Sequence, residues 1–240
     1  MKVVIIGGTA LIGARTARLL RQVGHEVAST GSRPGPALAG AEVVVDLSDA
    51  ASCGGNTAVA AFEAAQRALL AAEAAAGVGH HVALSVAGAE QQPGGNARGR
   101  ATQERLIRAS GLPYTIIHST QLFEFLGGIV RSAALGGILR LPPAAVQPIA
   151  PDDVAAFVAR IALGAPLNDT IEIAGPERLR LSELVARYLR ATDDPRAVVS
   201  NPRVGWPDVV PDDRPPGPRI IPRLGMIRFE AWFHQAREQA

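Results

Sequence analysis

The chain has 240 residues, of which 48% are hydrophobic, so it is long enough to form one large α/β domain with a substantial core. Its formal net charge is only +2 and its basic residues are scattered, so we expect no nucleic acid partner. The single cysteine, Cys53, excludes an internal disulfide framework.

Neither apolar stretch near the start of the chain is typical of a membrane or export signal. Val3–Ile6 is short and runs directly into glycines, unlike a signal peptide. The alanine-rich stretch Ala58–Ala76 carries Glu63 and Glu73, which predicts an amphipathic helix rather than a membrane span. We therefore expect a cytoplasmic protein with no membrane association.

Short apolar runs alternate with helical patterns in the first half, an order typical of parallel βαβ units. The predicted strands are Lys2–Ile6, His25–Thr30, Glu42–Leu47, His80–Ser85 and Tyr114–His118. The predicted helices are Leu11–Val23, Val59–Ala76 and Ala101–Ala109. The glycine-rich stretch Gln91–Gly99 is predicted as a loop.

The second half is less regular. The predicted helices are Gln121–Leu135, Asp152–Leu163, Leu181–Arg190 and Arg228–Glu238, and the predicted strands are Ile138–Leu141, Val146–Ile149 and Thr170–Ala174. Ser200–Pro222 is rich in proline and glycine and is predicted as an extended surface loop.

The first predicted strand leads into Gly7-Gly8-Thr9-Ala10-Leu11-Ile12-Gly13, a G-x-x-A-x-x-G pattern followed by a helix. Gly7 permits a tight turn, a small residue at Ala10 allows the backbone to approach a pyrophosphate, and Gly13 allows close packing of the helix. The helix N-terminus offers N–H groups to phosphates. The pattern indicates a Rossmann-type nucleotide-binding unit. The alternative is a turn that keeps small residues for packing, and the Ala10 methyl is a departure that would crowd the pyrophosphate.

Ser32 and Arg33 follow the second predicted strand. The forked guanidinium of Arg33 suits a 2′-phosphate, and no acidic residue ends this strand to bind a ribose as in NAD enzymes. We therefore expect NADP(H) to be preferred over NAD(H). The alternative is a solvated arginine beside Pro34.

The stretch from Thr30 to Glu42 is about the minimum for a parallel crossover. It predicts a sheet that lacks a strand on its adenine side, and a shortened adenine pocket.

Six segments match one known family in the same order along nearly the whole chain. They are IIGGTALIG (5–13), HHVALSVAG (80–88), QERLIRASGLPYTII (103–117), STQLFEF (119–125), VQPIAPDDVA (146–155) and EIAGPE (172–177). Together they resemble the atypical short-chain dehydrogenase/reductases, and within that group the NmrA-like proteins. The resemblance implies a doubly wound Rossmann core of residues 1–120, to which 146–174 return, and a small substrate-binding lobe of 121–145 and 175–240.

The resemblance also implies a set of residues that contact the dinucleotide. They are Gly7, Thr9, Ala10, Leu11 and Ile12 in the phosphate loop, Leu47 and Ser48 in the segment that passes the cofactor, Ser85 and Val86 beneath the nicotinamide, and Ser119 and Thr120 at the nicotinamide end.

Reductases of this superfamily commonly use Tyr-x-x-x-Lys, in which the tyrosine protonates the carbonyl. Those two positions hold Asn96 and Arg100 here, and the catalytic serine position falls near Ala87. Asparagine has no proton to donate at neutral pH, and arginine stays protonated. The usual proton relay is therefore absent.

Other side chains remain as catalytic candidates. His118 ends the strand that faces the nicotinamide in the family, and an imidazole can act as a general acid or base, although a hydrogen-bonded strand-end histidine is the alternative. Glu124 and Gln121 would orient a substrate, or else belong to a helix that packs against the core. His80 and His81 have no third ligand at metal spacing, so we expect no metal.

These observations predict an NADP(H)-dependent reductase of a small, largely apolar carbonyl or quinone-like substrate, a monomer or homodimer suited to specialised metabolism. One alternative is an NADP(H)-sensing regulatory protein without turnover, which the missing tyrosine and lysine favour. Another is a non-redox cyclase, dehydratase or isomerase that uses His118 and Glu124, which Ala10 and the short segment after Thr30 favour.

Overall fold

The structure is a computed structural model, and it describes residues 1–31, 35–48, 56–87, 95–132, 134–135, 137–204 and 222–238. Its strands are β1 (Lys2–Ile6), β2 (Glu26–Thr30), β3 (Val43–Asp46), β4 (His80–Val86), β5 (Tyr114–Ser119), β6 (Ala134–Leu135), β7 (Ile138–Leu141), β8 (Ala145–Val146), β9 (Asp169–Ala174), β10 (Leu179–Arg180), β11 (Ala197–Ser200) and β12 (Arg223–Leu224). Its helices are α1 (Leu11–Gln22), α2 (Asn56–Ala76), α3 (Gly95–Ala109), α4 (Phe125–Ser132), α5 (Pro151–Ala162), α6 (Leu181–Ala191) and α7 (Phe229–Glu238).

The chain divides into two compact units. The first consists of Met1–Ser119 and Pro151–Ile173, and the second of Thr120–Ala150 and Ala174–Ala240. None of the helices in the described ranges is long and apolar enough to cross a membrane.

Six strands of the first unit form a parallel sheet in the order β9-β5-β4-β3-β1-β2. On one face, Leu70 of α2 and Ile107 of α3 pack together with Ala83 and Ile116 of the sheet. Helix α5 packs against β3, β4 and β5 and against α1. Helices cover the central parallel strands, which are buried along nearly their whole length. The predicted doubly wound Rossmann-type α/β fold is therefore confirmed.

Strand β2 lies at the edge of this sheet, and within the described residues no strand pairs beyond it. The described residues between β2 and β3 include a 3₁₀ turn, Gly35–Leu38, and no further helix or strand. Leu38 of this turn packs with Val4, Ile6 and Val44, where it covers part of the sheet that a crossover helix would otherwise cover. The prediction of a missing strand on this side is confirmed, and the shortened adenine pocket stays a prediction.

The predicted strands and helices of the first half are confirmed to within a few residues, except for the start of α3. The helix begins at Gly95, so the loop prediction for 91–99 is wrong over 95–99, whereas residues 91–94 lie outside the described residues. Gly99 is buried and Arg100 donates hydrogen bonds to main-chain oxygens of Ser48 and Leu84. These tertiary contacts outweigh the low helix propensity of the glycines.

The prediction of one helix over 121–135 is wrong at both ends. Main-chain hydrogen bonds join Gln121 and Phe123 to Ile149, and this pairing prevents the helix from starting before Phe125. At the other end Ala134–Leu135 pairs antiparallel with β7. Likewise the predicted strand over 146–149 is limited to Ala145–Val146, which pairs with β10.

The second unit has its own apolar core, formed mainly by α4, α6 and α7. Phe123 stacks on Trp232 at 5.1 Å between ring centroids and meets Phe229 edge-on at 5.8 Å. Strand β11, which the sequence did not predict, pairs in parallel with β7 beside this core.

The two histidines that begin β4 point to opposite faces of the sheet and have different partners. His80 Nε2 lies 2.9 Å from Thr115 Oγ1, which also accepts the main-chain N–H of Leu167. Burial lowers the pKa of His80 to about 4, and the neighbouring His81 contributes to this shift. His81 Nδ1 lies 2.8 Å from Glu73 Oε2; burial opposes its charge, but that hydrogen bond raises the pKa of His81.

The buried neutral His80 predicts part of the acid sensitivity of the fold. Between the ordinary pKa of 6.5 and the folded value of about 4, the unfolded imidazole binds a proton that the folded one does not. The free energy of unfolding should therefore fall as the pH is lowered through this window. The variant H80Q cannot take up this proton, so its urea-unfolding free energy should depend less steeply on pH than that of the wild type. His234→Gln, at an exposed side chain, is the control and should keep the wild-type slope. Equal slopes for H80Q and the wild type would contradict this account.

Candidate functional site

The turn between β1 and α1 is built so tightly that three of its positions have no room for a side chain. Gly7 has a φ of +73°, and a Cβ there would lie 2.9 Å from Leu47 O. A Cβ at Gly8 would lie 2.6 Å from Ser29 Cβ, and one at Gly13 would lie 2.5 Å from Gly7 O. The glycines therefore bring the start of α1 directly against the end of β1, as the sequence pattern predicts.

The N-terminus of α1 is open to an anion. Ala10 is extended, with φ −77° and ψ 171°, and neither a side-chain cap nor an acidic first-turn residue occurs in this described part of the chain. Thr9, Ala10 and Leu11 are exposed, whereas the Ile12 side chain is buried. Main-chain N–H groups and the helix dipole are thus what this loop offers a ligand. The uncapped helix and the glycine turn fit the diphosphate of a dinucleotide.

A buried polar network holds the segment that follows β3. The Asp46 carboxylate is fully buried and accepts the N–H of Ser48 at 2.9 Å and the Gln103 side-chain amide at 2.8 Å. Gln66 Nε2 donates to Ser48 Oγ at 2.9 Å. Ser48 is therefore fixed by side chains from β3, α2 and α3.

Arg100, at the position of the usual lysine, takes part in the same network. Its Nη1 donates to the main-chain oxygens of Ser48 at 3.0 Å and Leu84 at 2.9 Å, and to Gln103 Oε1 at 3.2 Å. The guanidinium therefore connects the segment after β3 to β4 through hydrogen bonds. The other departure, Asn96, lies on α3, and its side chain lies outside the described residues.

A second cluster lies at the carboxyl ends of β4 and β5. Register pairing aligns Ser85, His118 and Glu172 across three neighbouring parallel strands, which puts their side chains on one face of the sheet. Glu104 of α3 joins them: its Oε1 accepts the Ser85 hydroxyl at 2.7 Å and lies 2.8 Å from His118 Nε2. Arg108, one turn further along α3, donates to Glu104 Oε2 at 2.9 Å.

Glu104 is charged although its side chain is only 1% exposed. Burial by itself would raise the pKa of Glu104, but the hydrogen bonds and charge of His118, with the donors Ser85 and Arg108, lower it to about 2. The pKa of Glu172 is raised by burial, which the nearby His118 partly offsets. The lowered pKa favours an ionised Glu104 carboxylate next to the imidazole of His118 at neutral pH.

Several predicted site residues make other contacts. Val86 points to the face opposite Ser85, because side chains alternate along a strand. In the second unit, Thr120 Oγ1 donates to Gln147 O at 2.7 Å, the main-chain oxygen of Gln121 accepts the N–H of Ile149, and Glu124 Oε1 accepts the Trp232 indole N–H at 2.9 Å. His118 belongs to the first unit, whereas Gln121 and Glu124 belong to the second.

The remaining predicted residues fall into three groups. The main-chain oxygen of Leu47 lies so close to Gly7 that a Cβ at Gly7 would be 2.9 Å from it. Ser119 is buried at the end of β5. Ser32 and Arg33 lie outside the described residues. His80 and His81 point to opposite faces of β4, and the described ranges contain no group of three or more His, Cys, Asp and Glu side chains that could hold a metal ion.

Sequence reasoning missed Glu104, Gln103 and Glu172 as members of the site. One signal for Glu104 was present: Arg100, Glu104 and Arg108 recur every four residues, which puts them on one face of the helix. No comparable pattern points to Glu172.

Comparison with solved structures relates this fold to NAD(P)-binding proteins. A short-chain dehydrogenase/reductase superfamily protein from Agrobacterium tumefaciens, with bound NAD, has a TM-score of 0.75 and 17% identity and covers 100% of this chain and 98% of its own. The NADPH-dependent quinone oxidoreductase QOR2 of Escherichia coli, complexed with NADPH, has a TM-score of 0.67, 19% identity and coverages of 83% and 77%. The triphenylmethane reductase of Citrobacter sp., complexed with NADP(H), has a TM-score of 0.62, 17% identity and coverages of 84% and 79%.

At 17–19% identity, the similarity to these structures establishes the fold alone. The chain has the Rossmann-type fold of the short-chain dehydrogenase/reductases, and the resemblance predicted from its sequence is confirmed at that level. No protein-family model matches the chain. The comparison with curated proteins likewise finds no match.

The buried Glu104 carboxylate should contribute strongly to stability. The variant E104Q removes the charge that Ser85, His118 and Arg108 share, so we expect the free energy of unfolding to fall by about 2–4 kcal/mol in urea titrations. Glu63→Gln is the matched control, because Glu63 pairs with Arg67 and Arg105 on the helix surface, and it should leave stability nearly unchanged. Equal effects of the two variants would show that the cluster contributes nothing specific.

Proposed function

We propose that the protein is an NADP(H)-dependent oxidoreductase that reduces a small, largely apolar carbonyl or quinone-like substrate. The observation that carries the proposal is the position of His118. It is the second-to-last residue of β5, and because the strands are parallel, the carboxyl end of β5 lies on the same side of the sheet as the glycine turn after β1. In open α/β sheets this edge is where nucleotide cofactors and substrates bind.

The proposed cofactor site uses main-chain groups of the first turn of α1 for the diphosphate, with Gly7 and Gly13 allowing the close approach. When bound, a reduced nicotinamide supplies the hydride. The preference for NADP(H) rests on Ser32 and Arg33 in the sequence. Among the proteins of similar fold, QOR2 and triphenylmethane reductase were crystallised with NADPH and NADP(H), and the Agrobacterium tumefaciens protein with NAD, so the comparisons support a nicotinamide dinucleotide of either kind.

The chain's own residues would supply binding and a proton. Asn96 and Arg100 cannot replace the usual tyrosine and lysine, and Arg100 is already engaged with Ser48 and Leu84. The imidazole of His118 lies near the carboxyl ends of the parallel strands and can act as a general acid, which makes it the proposed proton donor. Quinones and aromatic ketones form stabilised anions on reduction, so they need less acid assistance than aliphatic ketones.

A second candidate function is a dinucleotide-sensing regulatory protein without turnover. The observation that favours it is again Arg100, because a side chain that ties together the ends of β3 and β4 serves structure rather than chemistry. This candidate requires tight dinucleotide binding but no oxidation of NADPH with any carbonyl.

Substitution of Gly13 tests dinucleotide binding. The variant G13A puts a Cβ 2.5 Å from Gly7 O and 2.6 Å from Gly8 Cα, so α1 must move away from the turn. Calorimetric titration should give at least about a tenfold weaker NADPH affinity, a loss of about 1.4 kcal/mol. Gly128→Ala is the control, because a Cβ there meets no described heavy atom within 4 Å. Absence of binding by the wild type to either dinucleotide would contradict both candidate functions and favour a non-redox enzyme.

Substitution of His118 tests turnover. With a panel of quinones and aromatic ketones, the wild type should oxidise NADPH, and H118N should lower kcat by about 100-fold, the usual contribution of a general acid. His25→Asn is the control, because His25 directly precedes β2 and so lies at the amino ends of the parallel strands. This variant should leave kcat unchanged. Full activity of H118N would reject His118 as the proton donor, and NADPH binding without turnover would favour the sensor.

A further inference from the structure

We propose that Glu104 is a positioning residue that keeps one proton of His118 on Nε2 and so commits Nδ1 to proton exchange with the substrate. The part of this inference that concerns the substrate rests on the proposed reductase function. The part that concerns the imidazole rests on contacts within the first unit alone.

The contacts determine which nitrogen carries the proton. Glu104 Oε1 lies 2.8 Å from His118 Nε2 and also accepts the Ser85 hydroxyl at 2.7 Å. An ionised carboxylate can only accept hydrogen bonds, so the nitrogen that faces it must be the donor. Neutral His118 therefore has its hydrogen on Nε2 and a lone pair on Nδ1.

The surroundings of Glu104 keep its carboxylate in place. Ser85 holds Oε1 from β4, and the Arg108 guanidinium holds Oε2 at 2.9 Å. The Ser85 hydroxyl is thus directed at Glu104, which gives Ser85 a different role from the nicotinamide contact that the sequence predicts. With donors on both oxygens, the carboxylate plane and the imidazole bound to it have a fixed orientation.

The cluster is accessible through the imidazole. The His118 side chain is 14% exposed, whereas Glu104 is 1% and Ser85 is 2% exposed. A ligand at the carboxyl edge of the sheet would therefore meet the histidine and not the carboxylate that orients it. An exposed imidazole with a buried carboxylate behind it is the arrangement expected of an acid–base histidine and its orienting residue.

Two carboxyl groups in the described part of this unit lie next to His118: Glu104 from α3 and Glu172, its register neighbour on β9, while Ser85 of β4 is uncharged. The proton donor is the imidazolium form of His118. In that form Nδ1 also carries a hydrogen, and the proton that is given up leaves from Nδ1 because Nε2–H stays bound to Glu104.

A bound reduced nicotinamide would supply the hydride that forms the new C–H bond at the carbonyl carbon, while the carbonyl π electrons would move onto oxygen. That oxygen forms an O–H bond with the proton from Nδ1. The imidazolium becomes a neutral imidazole that keeps its Nε2 hydrogen, and solvent restores the Nδ1 proton.

The test is the tautomer of His118, measured by long-range ¹H–¹⁵N correlation spectra of the full chain labelled at histidine. The H118N spectrum identifies the signals among the five histidines. For the wild type at a pH where His118 is neutral, we expect hydrogen on Nε2 and an unprotonated Nδ1. Hydrogen on Nδ1 instead would overturn the proposal, and this result requires no destabilised variant.

The variant E104Q sharpens the test. Arg108 can only donate, so the amide oxygen of the substituted side chain should turn toward Arg108 and its NH₂ group toward His118. His118 should then accept at Nε2 and carry its hydrogen on Nδ1. S85A is the matched control, because it removes a donor from the same carboxylate oxygen but leaves the acceptor for Nε2–H, so the tautomer should not change. A tautomer that is the same in E104Q and the wild type would overturn the proposal.

Kinetics separate this proposal from the proposed function. With any substrate that the wild type reduces, E104Q should lower kcat by at least about tenfold while the KM for NADPH changes by less than about threefold. A loss confined to KM would overturn the positioning role. If the wild type turns over no substrate but shows the expected tautomers, the reductase function fails and the positioning of His118 by Glu104 stands.

Discussion

The close contact between Gly13 and the Gly7–Gly8 turn is the constraint on which the rest of the molecule depends. A Cβ at Gly13 would lie 2.5 Å from Gly7 O, so α1 can sit at the end of β1 only because that atom is missing. The contact points an uncapped helix N-terminus at the carboxyl edge of the sheet. Since all six strands of the first unit are parallel, Ser85 and His118, each one residue before the end of its strand, lie on this same side of the sheet.

One helix supplies most of the polar groups behind this edge. Arg100 and Gln103 of α3 hold the segment after β3, and Glu104, one helical turn after Arg100, holds the imidazole of His118. At the helix that carries tyrosine and lysine in the usual relay, this chain has Arg100, which binds main-chain oxygens of Ser48 and Leu84, and Glu104, which contacts His118. In the proposed mechanism the proton donor is therefore His118 of β5, and α3 contributes Glu104, which orients it.

Much of the fold could be predicted from periodicity and from glycine spacing. Buried apolar runs such as Val3–Ile6 indicate parallel strands, and the short segment after Thr30 predicts the edge position of β2. Errors occur where tertiary contacts decide local structure. Gly95 and Gly99 belong to a helix because α3 is held against the sheet, and residues 121–123 pair with Ile149 in place of forming a helical turn.

The glycine turn was the predictable part of the site, because its pattern depends on local sequence. The Glu104–His118 pair joins residues 14 positions apart on different elements, and the Glu172 register depends on the sheet order. His118 could be singled out as the end of a strand, but its partner required the packing of α3. Glu124 shows the converse case, since a carboxylate that suggests chemistry in the sequence accepts the indole N–H of Trp232.

The most direct test of the account is a crystal structure of the protein with NADPH and no other ligand. The account predicts the diphosphate on main-chain N–H groups at the start of α1 and the nicotinamide near His118, at the carboxyl end of β5. A start of α1 that is blocked by side chains, or a nicotinamide bound away from His118, would contradict it.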